Sequence, residues 1–252
     1  MGAFELPALF LVAILAGGIN ALAGGGSLIS FPALVAFGYP AKQANVTNTV
    51  AVVPGLAAVT FGYRRDLQGE ERRLAILVIP SLAGAAVGAV LLLSTPSEAF
   101  RNIVPFLIFF ATALIAFQDP IARWALRHRL STRGAEVPVA LTVSAFVLGT
   151  YNGYFGAGYG LVMLPVIAIA LNASLFTSQA MRAALSVVCN VMAVVVFGFF
   201  GPVAWGAAGV LAAGFVVGGY GGTSFARAIP QALLRVLLVA YGLGTGVWLL
   251  VT

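Results

Sequence analysis

Charge is what this sequence has least of. Of its 252 residues, 8% are Asp, Glu, Lys or Arg, while 61% are hydrophobic. An ordinary soluble domain is about one quarter charged. So apolar a chain has too little polar surface to face water, which excludes a soluble globular fold and makes lipid the natural solvent. Acid is scarcer still. The seven carboxylates are Glu5, Asp66, Glu70, Glu71, Glu98, Asp119 and Glu136, and each lies at the end of an apolar run or between runs. Cation carriers and pumps commonly place carboxylates within the membrane. Their absence argues against a cation substrate and against an intramembrane carboxylate relay, and leaves coupling through a substrate's own protonation open.

Cysteine and histidine are nearly missing. Cys189 is the sole cysteine, so one chain can form neither a disulfide nor a cysteine metal cluster. His128 stands alone in a basic loop. The apolar runs hold no Ser/His/Asp set and no paired carboxylates, so neither an enzyme nor a bound cofactor or metal is expected. The first residues lack the basic stretch of a secretory signal, and cleavage after ALAG (21–24) is not expected. Base is present but clustered: Arg64, Arg65, Arg72 and Arg73 in one loop, and Arg123, Arg127, Arg129 and Arg133 in another. Such clusters can signal nucleic acid. Between apolar runs they mark cytoplasmic loops instead. The expected protein is a multi-pass resident of the bacterial inner membrane that does not bind nucleic acid.

Long apolar runs cover about residues 5–38, 41–62, 74–94, 98–118, 137–171, 175–200, 204–226 and 230–251. The uninterrupted ones approach the ~20 residues that cross a bilayer. The first and fifth are interrupted by glycine and polar residues. The second half repeats the first. Asn20, Gly24 and Gly26 return as Asn152, Gly156 and Gly158, 132 positions later. Gln43, Ala44, Phe61 and Gly62 return as Gln179, Ala180, Phe197 and Gly198, and Gly84, Gly88, Pro96 and Arg101 as Gly218, Gly222, Pro230 and Arg235. The loop after the second run carries four arginines, while its counterpart FGPVAWG (200–206) carries no charge. The two loops should face opposite sides, which makes this an inverted duplication. The expected fold is an all-α polytopic membrane protein with an inverted 4+4 repeat. Residues 1–118 form the first repeat, 119–136 a basic cytoplasmic linker, and 137–252 the second repeat. Inversion requires an even number of crossings from each interrupted region. A re-entrant pair of half-length helices satisfies this, as do two full crossings, and both termini then lie outside.

The stretches GINALAGGGSLISFPALVAFGYPAKQANVTNTVAVVPG (18–55) and GTYNGYFGAGYGLVMLPVIAIALNASLFTSQAMRAAL (149–185) resemble the two signatures of the TauE/SafE family of sulfite and organosulfonate exporters. The similarity covers essentially the whole chain. It implies a membrane anion transporter for sulfite, sulfoacetate or related sulfur compounds. One departure stands out: Arg182 occupies the place of Val46 in the first repeat.

The residues themselves suggest where an anion would sit. Unpaired backbone at membrane depth is tolerated only inside protein or beside a polar cavity, and helix N-termini attract anions. Gly24, Gly25, Gly26 and Ser27 are thus candidates for one half of a site, and Gly156, Gly158 and Tyr159 for the other. Close packing of small residues is the alternative. Asn20 and Asn152 can each donate to an anion or tie down the backbone of their own break. Asn45, Thr47, Asn48 and Thr49 crowd the start of the second span, where they can contact substrate or cap and brace the helix. Ser186 and Asn190 share a helical face. Arg182, the one charge well inside a span, either meets an anion or snorkels to the surface. Lys42 is a further, weaker candidate for attracting anions. The motifs Gly84-x-x-x-Gly88 and Gly218-x-x-x-Gly222 bring helices close within or between repeats, or form a homodimer contact.

The leading expectation is a secondary transporter, an exporter, that binds a small sulfur oxyanion between the two breaks near the membrane midplane and works by alternating access. A passive anion channel is the alternative. A membrane enzyme or assembly factor without transport activity is a third reading.

Overall fold

The computed structural model describes residues 5–22, 24–117, 136–225 and 231–251. Among these residues there are ten α-helices, one short 3-10 turn and no strand. In the first half they are α1 (Glu5–Leu22), α2 (Ser27–Ala36), α3 (Ala41–Gly62), α4 (Glu71–Ser94) and α5 (Ser97–Ala116). In the second they are α6 (Val139–Tyr154), α7 (Tyr159–Ala170), α8 (Leu175–Phe200), α9 (Trp205–Phe225) and α10 (Gln231–Val251). In lipid the backbone has no water to bond, so apolar runs become helices whose N–H and C=O groups pair internally. Among the described residues six helices are long and apolar enough to cross a membrane: α1, α3, α4, α5, α8 and α9. Their outward faces are apolar, with Leu15, Ile79, Phe106 and Phe199 exposed. The linker expected at 119–136, with Arg123, Arg127, His128, Arg129 and Arg133, lies outside the described residues except for Glu136, which pairs with Arg72 at 2.9 Å.

The first interrupted region divides unequally. With 18 residues, α1 is roughly 27 Å long at 1.5 Å per residue, close to a full crossing, whereas α2 has 10. The two helices are therefore not both half-length, because the glycines come late in the run. The chain also folds back at the break: a methyl on Gly26 would overlap the carbonyl of Ala16, ten residues earlier on α1.

Helices pair across the two halves of the chain. α1 packs along α9, and its positional counterpart α6 packs along α4. Likewise α3 meets α9 and α8 meets α4, while α3 also packs on α8 and α5 on α10. Glycine makes these approaches possible. Methyls on Gly84 and Gly88 would overlap the carbonyls of Phe146 and Thr150, and one on Gly218 the carbonyl of Ile14. The two small-residue motifs thus bring helices together between the halves. Gly218→Ala is expected to lower stability by about 1–3 kcal/mol through overpacking. Gly221→Ala, one turn away with nothing within 4 Å of the added methyl, is expected to be neutral or slightly stabilising in a helix interior. Thermal melting of both variants in one detergent checks the contrast; equal melting points would reject the packing assignment.

Candidate functional site

Both breaks begin with a glycine in the left-handed conformation. Gly24 has φ +78° and Gly156 φ +76°, a backbone shape that L side chains disfavour. Each turns its N–H back on the preceding helix. Gly24 donates to the carbonyl of Ile19 at 3.2 Å, and Gly156 to that of Tyr151 at 3.1 Å. This is how helices commonly end at a left-handed glycine.

The C-terminal carbonyls that remain are claimed by side chains from distant elements. At the end of α1, the Arg182 Nη2 donates to Asn20 at 3.1 Å, the Tyr63 hydroxyl to Ala21 at 3.2 Å, and the Gln179 amide to Leu22 at 2.8 Å. At the end of α6, the Asn45 amide donates to Tyr154 at 3.0 Å. The negative ends of the broken helices are thus quenched from within the protein. At their other ends, the first N–H groups of α2 and α7 turn onto the glycine carbonyls before them: Leu28 donates to Gly25 at 3.0 Å, Ile29 to Gly26 at 2.9 Å, Tyr159 to Gly156 at 3.2 Å and Leu161 to Gly158 at 3.0 Å.

Between the breaks lies a buried cavity. Asn20, Gly24, Ser27, Thr49, Val52 and Leu56 line it from the first half, and Asn152, Phe155, Gly156, Tyr159, Gly160, Arg182, Ser186 and Asn190 from the second. Thr49, Val52 and Leu56 follow one face of α3. Arg182, Ser186 and Asn190 follow one face of α8, where the Asn190 amide donates to the Ser186 carbonyl at 2.8 Å. Arg182 does not snorkel: its side chain is 0% exposed. Its Nε donates to Gln179 Oε1 at 2.9 Å, so two of its three nitrogens are held. Its Nη1 has no partner among the described residues and lies against Gly24 and Gly160, where any side chain would collide with it. The Asn152 amide nitrogen is likewise buried without a partner. With the Tyr159 hydroxyl, also buried without a partner among the described residues, three such groups come from the lining of one cavity, an arrangement that accepts hydrogen-bond acceptors and, through Arg182, negative charge. The space is small, about 20 Å³, above the roughly 10–15 Å³ that one water needs.

Other polar residues singled out in the sequence hold helices together outside this cavity. Asn48 Oδ1 accepts from the Ser30 hydroxyl at 2.6 Å, Thr47 Oγ1 accepts from the N–H of Ala204 at 3.0 Å, and Asn45 caps α6. Asn20 ties its own break, accepting from the N–H of Gly26 at 2.8 Å, while also lining the cavity. Gly25, Gly26 and Gly158 sit in the breaks without lining it. Lys42 is a helix cap: its Nζ donates to the carbonyls of Leu93 and Thr95, both at 2.8 Å, at the end of α4. Cation and helix dipole are well matched there. Val52, Leu56, Phe155 and Gly160 complete the lining without having been picked out by sequence. The apolar three look like ordinary span residues. Gly160 had a usable signal, as part of the GAGYG run that holds Gly156 and Gly158.

A family model described as "Sulfite exporter TauE/SafE" matches residues 9–249. A Sinorhizobium protein named "Probable membrane transporter protein ORF9" is 31% identical over 98% of this chain and 94% of its own length. A "Probable membrane transporter protein" of Haemophilus influenzae is 29% identical over 93% of this chain and 90% of its own. The Escherichia coli K12 "Probable membrane transporter protein YfcA" is 26% identical over 93% and 85%. No solved structure matches the chain.

Proposed function

The chain belongs to the TauE/SafE sulfite exporter family and is a multi-pass membrane transporter, and we propose that it carries a small sulfur oxyanion, sulfite or an organosulfonate, by alternating access through the cavity between the breaks. The observation that carries this reading is the set of buried, unpartnered groups, Arg182 Nη1, Asn152 Nδ2 and the Tyr159 hydroxyl, on residues lining one cavity among the described residues. Neutral donors around a single cation suit an anion with several oxygens. They hold it without trapping it by excess charge.

The paired packing of α1 with α9 and of α6 with α4 supports the inverted duplication. So does the contrast between the arginines at 64, 65, 72 and 73 and the uncharged 200–206 loop. In this reading the arginine loop and the 119–136 linker face the cytoplasm of a bacterial inner membrane, and transport runs outward, as the family's description has it. A cavity with room for about one water must widen to admit an oxyanion. Rocking one half against the other around a site near the midplane does that and exposes it to each side in turn.

Proteoliposomes test the proposal. Sulfite or methanesulfonate flux is expected to saturate with concentration and to show counterflow, trapped unlabelled anion driving uptake of labelled anion. Flux without saturation or counterflow would make the protein a channel, and no flux of any sulfur anion would reject transport of this class.

A further inference from the structure

The charges around the cavity carry the proposal one step further. Four helix ends meet at the breaks: the C-termini of α1 and α6 and the N-termini of α2 and α7. Each end carries roughly half an elementary charge, negative at C-termini and positive at N-termini. Protein donors already meet the two negative ends, and turn carbonyls meet the first N–H groups of α2 and α7, so the ends add no full unit of charge. What remains is Arg182, whose guanidinium stays protonated in proteins. No carboxylate lines the cavity, and every described carboxylate sits at a helix end or in a loop. The titratable groups that face the guanidinium are the phenols of Tyr63 and Tyr159, and the thiol of Cys189 lies beside Tyr159. Phenols and thiols are neutral near pH 7. The fixed charge of the site is therefore one positive unit.

We infer that the cavity selects oxyanions by valence: it takes the monovalent form of a sulfonate-type anion and rejects the divalent one. This rests on the reading of the cavity as an anion site. A monoanion beside Arg182 leaves the buried site neutral. A dianion leaves one negative charge uncompensated among largely buried side chains, and burial of an unpaired charge is strongly disfavoured. Asn152, Ser27, Thr49 and Ser186 supply neutral polar groups that orient oxygens but offset no charge. Sulfite would accordingly travel as bisulfite, and organosulfonates whose sulfonate is their one net charge, such as methanesulfonate, as they are, whereas sulfoacetate, with an ionised carboxylate beside its sulfonate, would be rejected.

The test compares two tetrahedral sulfur anions that differ in charge. Methanesulfonate and sulfate are titrated by calorimetry into the full chain in lipid nanodiscs at matched ionic strength. Methanesulfonate is expected to bind at least about tenfold more tightly, a difference of roughly 1.4 kcal/mol. Sulfite affinity is expected to fall as pH rises through the ionisation of bisulfite, while methanesulfonate affinity stays flat. Thr49→Lys adds a second positive charge to the lining and is expected to narrow or reverse the preference. The wild-type comparison needs no variant, so a folding defect in T49K leaves the test intact. Sulfate binding as tightly as methanesulfonate, or sulfite affinity independent of pH, would overturn valence selection while leaving the anion site standing. Absence of binding by all three anions would overturn the site and this inference together.

Discussion

Replacing Arg182 with glutamine is expected to weaken methanesulfonate binding by roughly 10- to 150-fold. A hydrogen bond to a charged group contributes about 1.5–3 kcal/mol, and each 1.36 kcal/mol is a factor of ten. The variant should still insert and fold. It loses the bonds that Arg182 makes to Gln179 Oε1 and to the Asn20 carbonyl; the carbonyl keeps the Gly24 N–H at 3.1 Å, so the cost is that of two ordinary hydrogen bonds, about 0.5–1.5 kcal/mol each. It also relieves the membrane interior of an ionised side chain that costs roughly 2.5–3.5 kcal/mol on insertion scales. The two effects are of similar size and opposite sign, so the melting temperature moves little while affinity collapses. Arg182→Lys retains the charge but not the fork that engages Gln179 and Asn20 at once. It is expected to keep the preference for monovalent anions at reduced affinity. Calorimetric titration beside a thermal melt separates these outcomes. Unchanged affinity in R182Q would remove Arg182 from the site.

The second large effect is expected at Gly24. An alanine there meets two penalties: a left-handed backbone at φ +78° and a methyl that overlaps Arg182 Nη1 and comes within 2.8 Å of the Gly160 Cα. The backbone term costs roughly 1–2 kcal/mol, and overpacking typically adds 1–3 kcal/mol. Gly38→Ala isolates the first term, since Gly38 has φ +87° with nothing within 4 Å of the added methyl. Gly156→Ala falls between them: its φ is +76° and the nearest atom, the Asn152 carbonyl oxygen, is at 3.1 Å. The expected order of thermal destabilisation is G24A, then G156A, then G38A. G24A should also lose anion binding, because the methyl takes the place of the free guanidinium nitrogen. If all three variants melted together, the contact between Gly24 and Arg182 would have no energetic weight.

The spans were legible because the bilayer leaves the chain so few options. Apolar runs of about 20 residues had to be helices, and the observed boundaries at 41–62 and 175–200 match the runs read from sequence. The breaks were legible for a complementary reason: three glycines beside Asn20 and Ser27 fit poorly in an uninterrupted span. What the sequence hides is the identity of distant partners. Asn45, Thr47 and Asn48 have the composition of a binding face, yet they meet the Tyr154 carbonyl, the Ala204 N–H and the Ser30 hydroxyl. Local spacing contains none of those pairings. Lys42 misleads in the same way, because its charge answers the carbonyls of Leu93 and Thr95, 51 and 53 residues along the chain. Arg182 was conspicuous as a buried charge. That it would cap α1 with one nitrogen and leave another free follows only once α8 lies across the first break.

The packing of α1 along α9 also sets a timetable for synthesis. The glycine-rich face of α1 is finished at Leu22, but its partner begins at Trp205. At about 5–20 residues per second, α1 waits roughly 10 to 40 s for that partner after leaving the ribosome. During that interval lipid, or the insertion machinery, must cover a surface meant for another helix. With a mean hydropathy of 1.8, α1 is greasy enough to be stored in the bilayer until then. The first half therefore reaches the membrane long before it has a tertiary structure, and the transporter is knitted together only when its last quarter arrives.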